Sequence, residues 1–378
     1  MSAGFMVSNI FSTILRALCP LLFMFLVFKL VEFAVKIWWI PLTLTKFMEK
    51  QGIRGPPYKF LHGNNKEVGL MVMESSAKPM DFSHDIFPRV QPHFYSWIKI
   101  HGSVLLCWLG PKPQLIVTDP ELIREILNNK RGDFQKPKKN SIVKRLLGDG
   151  LVSANGEKWV RHRKLANKAF NGESLRDIVD ECKTFYLAGH ETTSALLTWT
   201  VVLLAMHPEW QERARKEVIQ VLGSNTPSID GLAQLKIMNM LINESLRLYP
   251  PVLFLTKASI RKVRVGKFTI PSGMELVVPP LAAYHDPSQW GDDVNLFKPE
   301  RFAQGVTTAA STQVSFIPFG YGPRICVGLN FATLEAKVAL SMILRCYTFT
   351  LSPSYQHAPA LRITMGPQHG APIIIHSQ

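Results

Sequence analysis

The chain has 378 residues, 47% of them hydrophobic and 19% charged, so it is too apolar for a disordered protein and long enough to bury a sizeable core. Its net charge of +15 favours acidic partners such as anionic lipid. The two basic clusters, residues 136–145 and 158–168, are not interleaved with aromatic residues as in a nucleic-acid platform, so no nucleic-acid partner is expected. Five cysteines without a CxxC or zinc-type Cys/His spacing exclude a disulfide framework and a zinc site.

The first 50 residues are predicted to form a membrane anchor. Apolar residues dominate positions 11–44, but the longest run without a charge, Ala17–Phe28, is shorter than the roughly 20 residues of a clean membrane span. Tilt and snorkelling of Lys29 or Lys36 extend it. A cleaved signal peptide is the alternative, but the segment lacks a basic start and a small-residue cleavage site, so a retained anchor is favoured.

The residues after the anchor divide the chain further. Residues 51–57 contain the sequence GIRGPP, which predicts a stiff hinge that ends the anchor helix before a globular body at 58–378. In the body, residues 104–118 predict two strands of a hairpin. Asp119 and Pro120 then predict the N-terminus of a helix over 120–128, with Asp119 as its N-cap.

Helices dominate the centre of the body. The patterns predict helices at about 177–206, 209–222, 232–248 and 328–345, and short strands between about residues 263 and 280. The predicted class is therefore mainly α with a smaller β part.

A glycine-rich loop precedes the last predicted helix. Residues 319–328 read FGYGPRICVG and place Cys326 among three glycines. Glycines allow a tight turn of the backbone, and N–H groups at a helix start stabilise a thiolate. The alternative is a buried structural cysteine after a glycine turn.

This loop resembles the haem-binding FGxGxRxCxG loop of the cytochrome P450 family at every defined position. The resemblance implies the cytochrome P450 fold, with haem b as the cofactor and Cys326 as the axial thiolate of its iron. It also implies that Phe319, Gly320 and Gly322 bind the cofactor and that Arg324 contacts a haem propionate.

Four other segments match family motifs. Glu244 and Arg247 match ExxR and Arg301 lies in a PERF segment, which together imply a salt-bridged structural triad. Glu191 and Thr192 match the AGxET oxygen-activation segment, which implies a proton relay and a helix distortion at Gly189.

The remaining matches concern the haem propionates. Trp159 and Arg163 match WxxxR, which implies a guanidinium forked onto a propionate. Lys257 stands where many relatives carry another propionate arginine, and it keeps the charge but loses the fork. By themselves, the short motifs also fit ordinary surface charges or a polar notch in a helix.

The five motifs follow the order of the family, and the resemblance covers the whole chain. It is similar above all to plant membrane-bound members that hydroxylate hormones and terpenoids. The resemblance implies a monooxygenase anchored in the endoplasmic reticulum membrane with a cytoplasmic catalytic domain. It would use O2, a lipophilic small-molecule substrate and electrons from NADPH through NADPH-cytochrome P450 reductase, because the chain has no nicotinamide fingerprint of its own.

The chain departs from the family between Arg163 and Ala188, which are only 25 positions apart. Several helices lie between these motifs in the family, so on the order of 100 residues are missing, with the join near 170–178 and the distal helices incomplete. A truncated, catalytically inactive haem-binding product is therefore the alternative function. A peroxide-rearranging enzyme is disfavoured because AGxET and the cysteine loop are intact.

Overall fold

The computed structural model of the chain describes the backbone of residues 2–137, 145, 148, 150–167, 175–223 and 227–377, and the side chains of these residues except 2–17, 165 and 175–183. The predicted join at 170–178 and the basic residues Lys138, Lys139, Lys144 and Lys168 lie outside the residues with described side chains.

Helices make up most of the described chain, which confirms the predicted class. They are α1 (Ser2–Ala34), α2 (Ile40–Glu49), α3 (Asn65–Ala77), α4 (Phe87–Val90), α5 (Pro92–His101), α6 (Pro120–Leu127), α7 (Gly156–Asn167), α8 (Leu175–Met206), α9 (Pro208–Leu222), α10 (Ile229–Gln234), α11 (Lys236–Leu248), α12 (Pro280–Tyr284), α13 (Pro287–Trp290), α14 (Val306–Ala309) and α15 (Leu329–Cys346).

The strands are fewer and shorter. They are β1 (Val104–Leu109), β2 (Lys112–Val117), β3 (Phe134–Gln135), β4 (Leu255–Ser259), β5 (Val263–Val265), β6 (Phe268–Ile270), β7 (Glu275–Val278), β8 (Tyr347–Leu351), β9 (Pro359–Leu361), β10 (Met365–Pro367) and β11 (Ile373–Ser377). The main sheet has the order β1-β2-β7-β4-β3, and β5-β6, β9-β10 and β8-β11 form separate pairs. The predicted hairpin is confirmed, because β1 and β2 pair antiparallel from Val104↔Val117 to Leu109↔Lys112.

A single helical run forms the N-terminal segment. It joins α1, a π-helical turn at Val35–Trp39 and α2, and its stretch Leu18–Glu49 is long and apolar enough to cross a membrane. Within this stretch Lys29 and Glu32 pair at 2.8 Å, so two of the interrupting charges offset each other. The run ends at Glu49, where the hinge segment was predicted to stop it.

Two hydrophobic clusters hold the body together. The larger one joins α4, α5, α8, α9, α11 and α15, and Trp199 of α8 is fully buried in it. The smaller one lies between the main sheet, β5-β6 and α6, and it includes Met48 and Ile53 from the N-terminal segment. The predicted N-cap of α6 is present, because the Asp119 carboxylate accepts the N–H of Leu122 at 3.0 Å.

One helix boundary was predicted wrongly. The sequence pattern predicted one helix over 232–248, but the structure has α10 and α11 separated at Leu235. The carboxylate of Glu217 on α9 accepts the free N–H groups of Ile237 (2.7 Å) and Met238 (2.9 Å) at the start of α11. A side chain from another helix therefore caps this end, and no local sequence signal reports it.

Candidate functional site

The loop that carries Cys326 closes on itself just before α15. The N–H of Cys326 donates to the carbonyl of Phe319 at 2.8 Å. Gly320 and Gly322 have φ values of 78° and 73°, in the left-handed region that favours glycine. A Cβ atom on Gly322 would lie 2.6 Å from the carbonyl oxygen of Leu127 in α6, so a larger residue there requires the backbone to move.

The thiol of Cys326 is open to solvent on one side and surrounded by protein on the others. Burial raises its pKa above the ordinary value, whereas the backbone N–H of Gly328 and the charge of Arg163 act in the opposite direction. Metal-bound cysteines are thiolates, so binding of a metal cation at this sulfur would release a proton.

Arg324, two residues before Cys326, is held by the segment that leads into α7. Its guanidinium donates to the carbonyl of Ala154 at 2.8 Å and to Oδ1 of Asn155 at 3.3 Å. It also lies 4.1 Å above the ring of Trp159, in cation–π geometry. The WxxxR segment and the cysteine loop, far apart in sequence, are therefore in direct contact.

Two other predicted cofactor residues complete a cationic cluster. Arg163 donates to the carbonyl of Ile325 at 2.6 Å, next to Cys326. Lys257 of β4 is buried, and this burial together with the charges of Lys136 and Arg324 lowers its pKa to about 8. Burial and the charge of Arg163 lower the pKa of Arg324 to about 10.

Within the described part of the chain, no carboxylate lies within ion-pair distance of Arg163, Lys257 or Arg324. Burial is the main cause of the lowered pKa values of Lys257 and Arg324, and the charges of Arg324 on Lys257 and of Arg163 on Arg324 lower them further. Three adjacent cations without an acidic partner match a ligand that brings its own carboxylates.

The predicted Glu244–Arg247 pair lies at the centre of a buried network. Both side chains are 0% exposed, and the Arg247 guanidinium donates to both carboxylate oxygens of Glu244 at 2.8 Å. The remaining Arg247 N–H groups donate to the carbonyls of Tyr284 (3.0 Å), Val294 (2.8 Å) and Leu296 (3.3 Å). Every charge of the pair therefore has a partner, as a buried ion pair requires.

Arg301 joins the same network from the segment Pro299–Phe302. Its Nε lies 3.7 Å from Glu244 Oε1, which also accepts the backbone N–H of Lys298 at 3.0 Å. The Arg301 guanidinium is also 2.6 Å from the carboxylate of Asp293 and donates to the carbonyl of Trp290 at 2.9 Å. Arg301 thus bridges one fully buried and one partly exposed acid.

Glu191 and Thr192 lie on α8. Thr192 Oγ1 donates to the carbonyl of Ala188 at 2.6 Å, and Glu191 is partly exposed beside His190 at 3.9 Å. The prediction of a helix distortion at Gly189 is wrong, because α8 is α-helical throughout Leu175–Met206. A threonine bonded to the carbonyl four residues earlier is compatible with an unbroken helix.

The structure therefore brings together the sequence-predicted residues Trp159, Arg163, Lys257, Arg324 and Cys326, and separately the buried triad. Among the described contacts, none joins Glu191 or Thr192 to the cysteine loop.

Sequence reasoning missed Asp293 and Asn155, which support Arg301 and Arg324. The contact of Asn155 spans 169 positions of sequence, and Asp293 lies in a turn eight positions before Arg301, so no helix or strand spacing gave a signal for either residue.

Comparisons with known proteins identify the chain. The family profile described as Cytochrome P450 matches residues 90–181 and 171–369. The chain belongs to the cytochrome P450 family. Members are monooxygenases with a haem iron held by a cysteine thiolate, and they use O2 and a small-molecule substrate with electrons generally supplied by a reductase.

The curated relatives of this P450 are plant proteins. Cytochrome P450 CYP749A22 of Panax ginseng is 37% identical, and the alignment covers 97% of each chain. Cytochrome P450 734A1 of Arabidopsis thaliana is 35% identical, with 89% of this chain and 92% of the relative covered. The 11-oxo-beta-amyrin 30-oxidase of Glycyrrhiza uralensis is 32% identical, with 90% and 94% covered.

The lengths of these alignments differ from the length of the chain. The alignment with the ginseng relative runs over 512 positions, which exceeds the 378 residues of this P450 by 134. The family profile matches in two pieces that overlap at residues 171–181.

Proposed function

We propose that this P450 is a membrane-anchored monooxygenase that binds haem b, with Cys326 as the axial thiolate. The observation that carries the proposal is the closed glycine loop, which places Cys326 next to Arg163 and Arg324, with Lys257 near Arg324. None of these three cations has an acidic partner among the described residues. Haem supplies activation of O2 once electrons arrive, and the thiolate ligand promotes O–O cleavage.

The residues around Cys326 would hold the cofactor. Arg163, Arg324 and Lys257 would pair with the haem propionates, which relieves the mutual repulsion of these cations. The ring of Trp159 stacks on the Arg324 guanidinium and would hold it in place. Phe319, Gly320 and Gly322 shape the loop, and the absence of side chains on the two glycines would let its backbone lie close to a bound haem.

Glu191 and Thr192 would move protons on the substrate side. Thr192 Oγ1 donates to the Ala188 carbonyl in the helix, so it must rotate away from that carbonyl before it donates elsewhere. Glu191 is partly exposed and can exchange protons with water. The buried Glu244, Arg247 and Arg301 would act only through the fold, because they bind one another and backbone groups.

The partners and the location follow from the family. Electrons would come from NADPH through NADPH-cytochrome P450 reductase. The apolar stretch Leu18–Glu49 would anchor the chain in the endoplasmic reticulum membrane, with residues 58–378 on the cytoplasmic side and residues 51–57 between anchor and body. A lipophilic substrate such as a terpenoid or hormone is supported by the relative named 11-oxo-beta-amyrin 30-oxidase.

A second function is favoured by the alignment lengths. We infer that the excess of alignment positions and the two-piece family match reflect a missing segment between Arg163 and Ala188. In the family this region contributes helices over the substrate. A chain without them would keep the cysteine loop and its cations but lose the cover that excludes water. It would then bind haem without productive turnover.

Spectroscopy of the full chain separates the two functions. The chain is expressed in membranes with added haem precursor, reduced and exposed to carbon monoxide, and its absorption spectrum is recorded. In a second measurement, NADPH oxidation with added reductase is compared with product formation. A thiolate-type red-shifted band together with product supports the monooxygenase, and the band without product supports the haem-binding alternative. Cys326→Ala should abolish the band. The control is Cys346→Ala, which removes another free and exposed cysteine and should leave the band unchanged. A band that persists in Cys326→Ala refutes the ligand assignment.

A further inference from the structure

A proline shapes the end of the N-terminal helical run. In an α-helix the carbonyl of Ile37 would accept the N–H of residue 41, but residue 41 is proline and has no N–H. The chain forms a π-helical turn at Val35–Trp39 just before this proline. Ile37 is nevertheless buried, at 7% exposure, and its carbonyl is free to accept a donor from outside the helix, because the proline supplies none.

Tyr58 of the body provides that donor. Its hydroxyl donates to the Ile37 carbonyl at 2.8 Å, and its ring packs edge-on against Trp108 at 5.1 Å. Burial raises the pKa of Tyr58, and the backbone N–H of Leu61 opposes that shift, so the hydroxyl faces both the helix and the next loop. A single side chain thus connects the π-helical turn to residues 58–61.

Other contacts fix the same junction. Met48 and Ile53 are buried in the smaller hydrophobic cluster. Gln51 and Thr269 of β6 exchange two hydrogen bonds, at 3.2 and 2.6 Å. The carbonyl of Arg54 accepts the N–H of Leu106 at 3.0 Å. The segment after the helix therefore packs along the body and does not act as a free tether.

Beside Tyr58 the body has an exposed apolar corner, formed by Phe60, Leu61 and Leu109, which are 57%, 41% and 50% exposed. Leu61 has a φ of 64° and is the one non-glycine residue with positive φ in the described chain. Such a conformation costs energy and persists only where the surroundings impose it. Here the bridge between Gly63 and Leu109 holds the loop against β1.

The chemistry of the apolar corner fits a lipid surface. Trp38 and Trp39 are exposed on the helix that ends beside it, and tryptophan favours the membrane interface. The exposed Lys59 and Lys112 flank the corner and suit anionic headgroups.

We propose that Tyr58 locks the end of the anchor helix to the body and thereby holds the apolar corner in the lipid interface. This inference depends on the proposed anchor. It adds that a hydrogen bond to the π-helical turn, together with the other contacts of the junction, helps to set the height and tilt of the haem domain over the membrane.

Photocrosslinking of the full chain tests this inference. Phe60 is replaced by p-benzoylphenylalanine in the chain, reconstituted into vesicles of phosphatidylcholine and phosphatidylserine. Phe331 of α15, which is 72% exposed, is replaced in the same way as the control. We expect lipid adducts at position 60 and few at position 331. Loss of one hydrogen bond shifts a docking equilibrium roughly fivefold, so Tyr58→Phe should lower the adducts at position 60 by up to that factor.

Two further variants sharpen the result. Tyr347→Phe removes the hydroxyl of an exposed tyrosine and should leave the adducts unchanged. Pro41→Ala restores the missing N–H and favours an α-helical turn in place of the π-helical turn, which moves the Ile37 carbonyl away from Tyr58 and should lower the adducts as Tyr58→Phe does.

Each contrary outcome identifies a different error. Extraction of the chain from the vesicles by alkaline carbonate contradicts the proposed anchor. Two outcomes contradict contact of the apolar corner with lipid. One is a chain that stays in the vesicles but is labelled equally at positions 60 and 331. The other is crosslinking of position 60 to a second copy of the chain. Labelling that is unchanged by both Tyr58→Phe and Pro41→Ala contradicts the role of Tyr58.

Discussion

Glu244→Gln removes the central charge of the buried network without changing the size of the side chain. The Glu244 carboxylate accepts two hydrogen bonds from Arg247 and one from the Lys298 backbone, and it is 0% exposed. The substitution leaves the Arg247 charge buried without a counter-ion and turns an NH2 group toward the guanidinium. Breaking a buried pair in this way costs about 3–5 kcal/mol of folding free energy.

The matched control is Asp293→Asn, because Asp293 also contacts Arg301 but its side chain is 31% exposed. After this substitution Arg301 keeps Glu244 and the carbonyls of Trp290 and Asp293 as partners, so a smaller loss of about 1 kcal/mol is expected. Urea unfolding of both variants in detergent, followed by far-UV circular dichroism, measures the difference. Equal losses would mean that the Glu244–Arg247 pair does not stabilise the fold through its buried charge.

Three other substitutions test separate features by the same unfolding assay. Gly322→Ala should lower the free energy of unfolding by about 1–3 kcal/mol. The loss should exceed that of Gly273→Ala, because Gly273 shares a positive φ but has open space around it. Equal losses would contradict the steric requirement at Gly322. Burial lowers the pKa of Lys257 from its ordinary 10.5 to about 8, so the folded chain releases this proton before the unfolded chain does. Without haem, the free energy of unfolding of the wild-type chain minus that of Lys257→Met should therefore increase by on the order of 3 kcal/mol from pH 8 to 10.5; a difference that does not increase would contradict the burial. Glu217→Gln should lower the free energy of unfolding by about 1–2 kcal/mol because it weakens the cap of α11. Glu212→Gln changes a residue of the same helix that pairs with an exposed lysine, and it should lower the free energy of unfolding by about 0.5 kcal/mol or less. Similar losses in the two variants would contradict the cap.

Local patterns in the sequence predicted the elements whose causes are local. Asp119 caps α6 as its position before Pro120 implies, and the antiparallel hairpin of β1 and β2 follows from two apolar runs around a tight turn. The Cys326 loop was recognisable because its glycines satisfy a backbone requirement within ten residues of sequence.

Features that depend on distant residues were not predictable in the same way. The break at Leu235 is stabilised by Glu217 from another helix. Asn155 contacts Arg324 across 169 positions of sequence. The π-helical turn had a local cause in Pro41, but its partner Tyr58 is contributed by the body. The distortion expected at Gly189 is not observed, since α8 is α-helical over Leu175–Met206.

Haem binding and turnover depend on different parts of this P450. Within the described chain, the cysteine loop packs against α6 at Gly322 and contacts α7 through Arg324 and Arg163. The charge of Arg324 in this loop also acts on Lys257 of β4. Glu191 and Thr192 have no such link to the loop among the described contacts. On the proposed assignment, ligation needs only the first set, so a change near residues 164–187 would remove turnover and leave the thiolate site intact. Measuring the carbon monoxide band and product formation on one preparation therefore reports on two independent parts of the molecule.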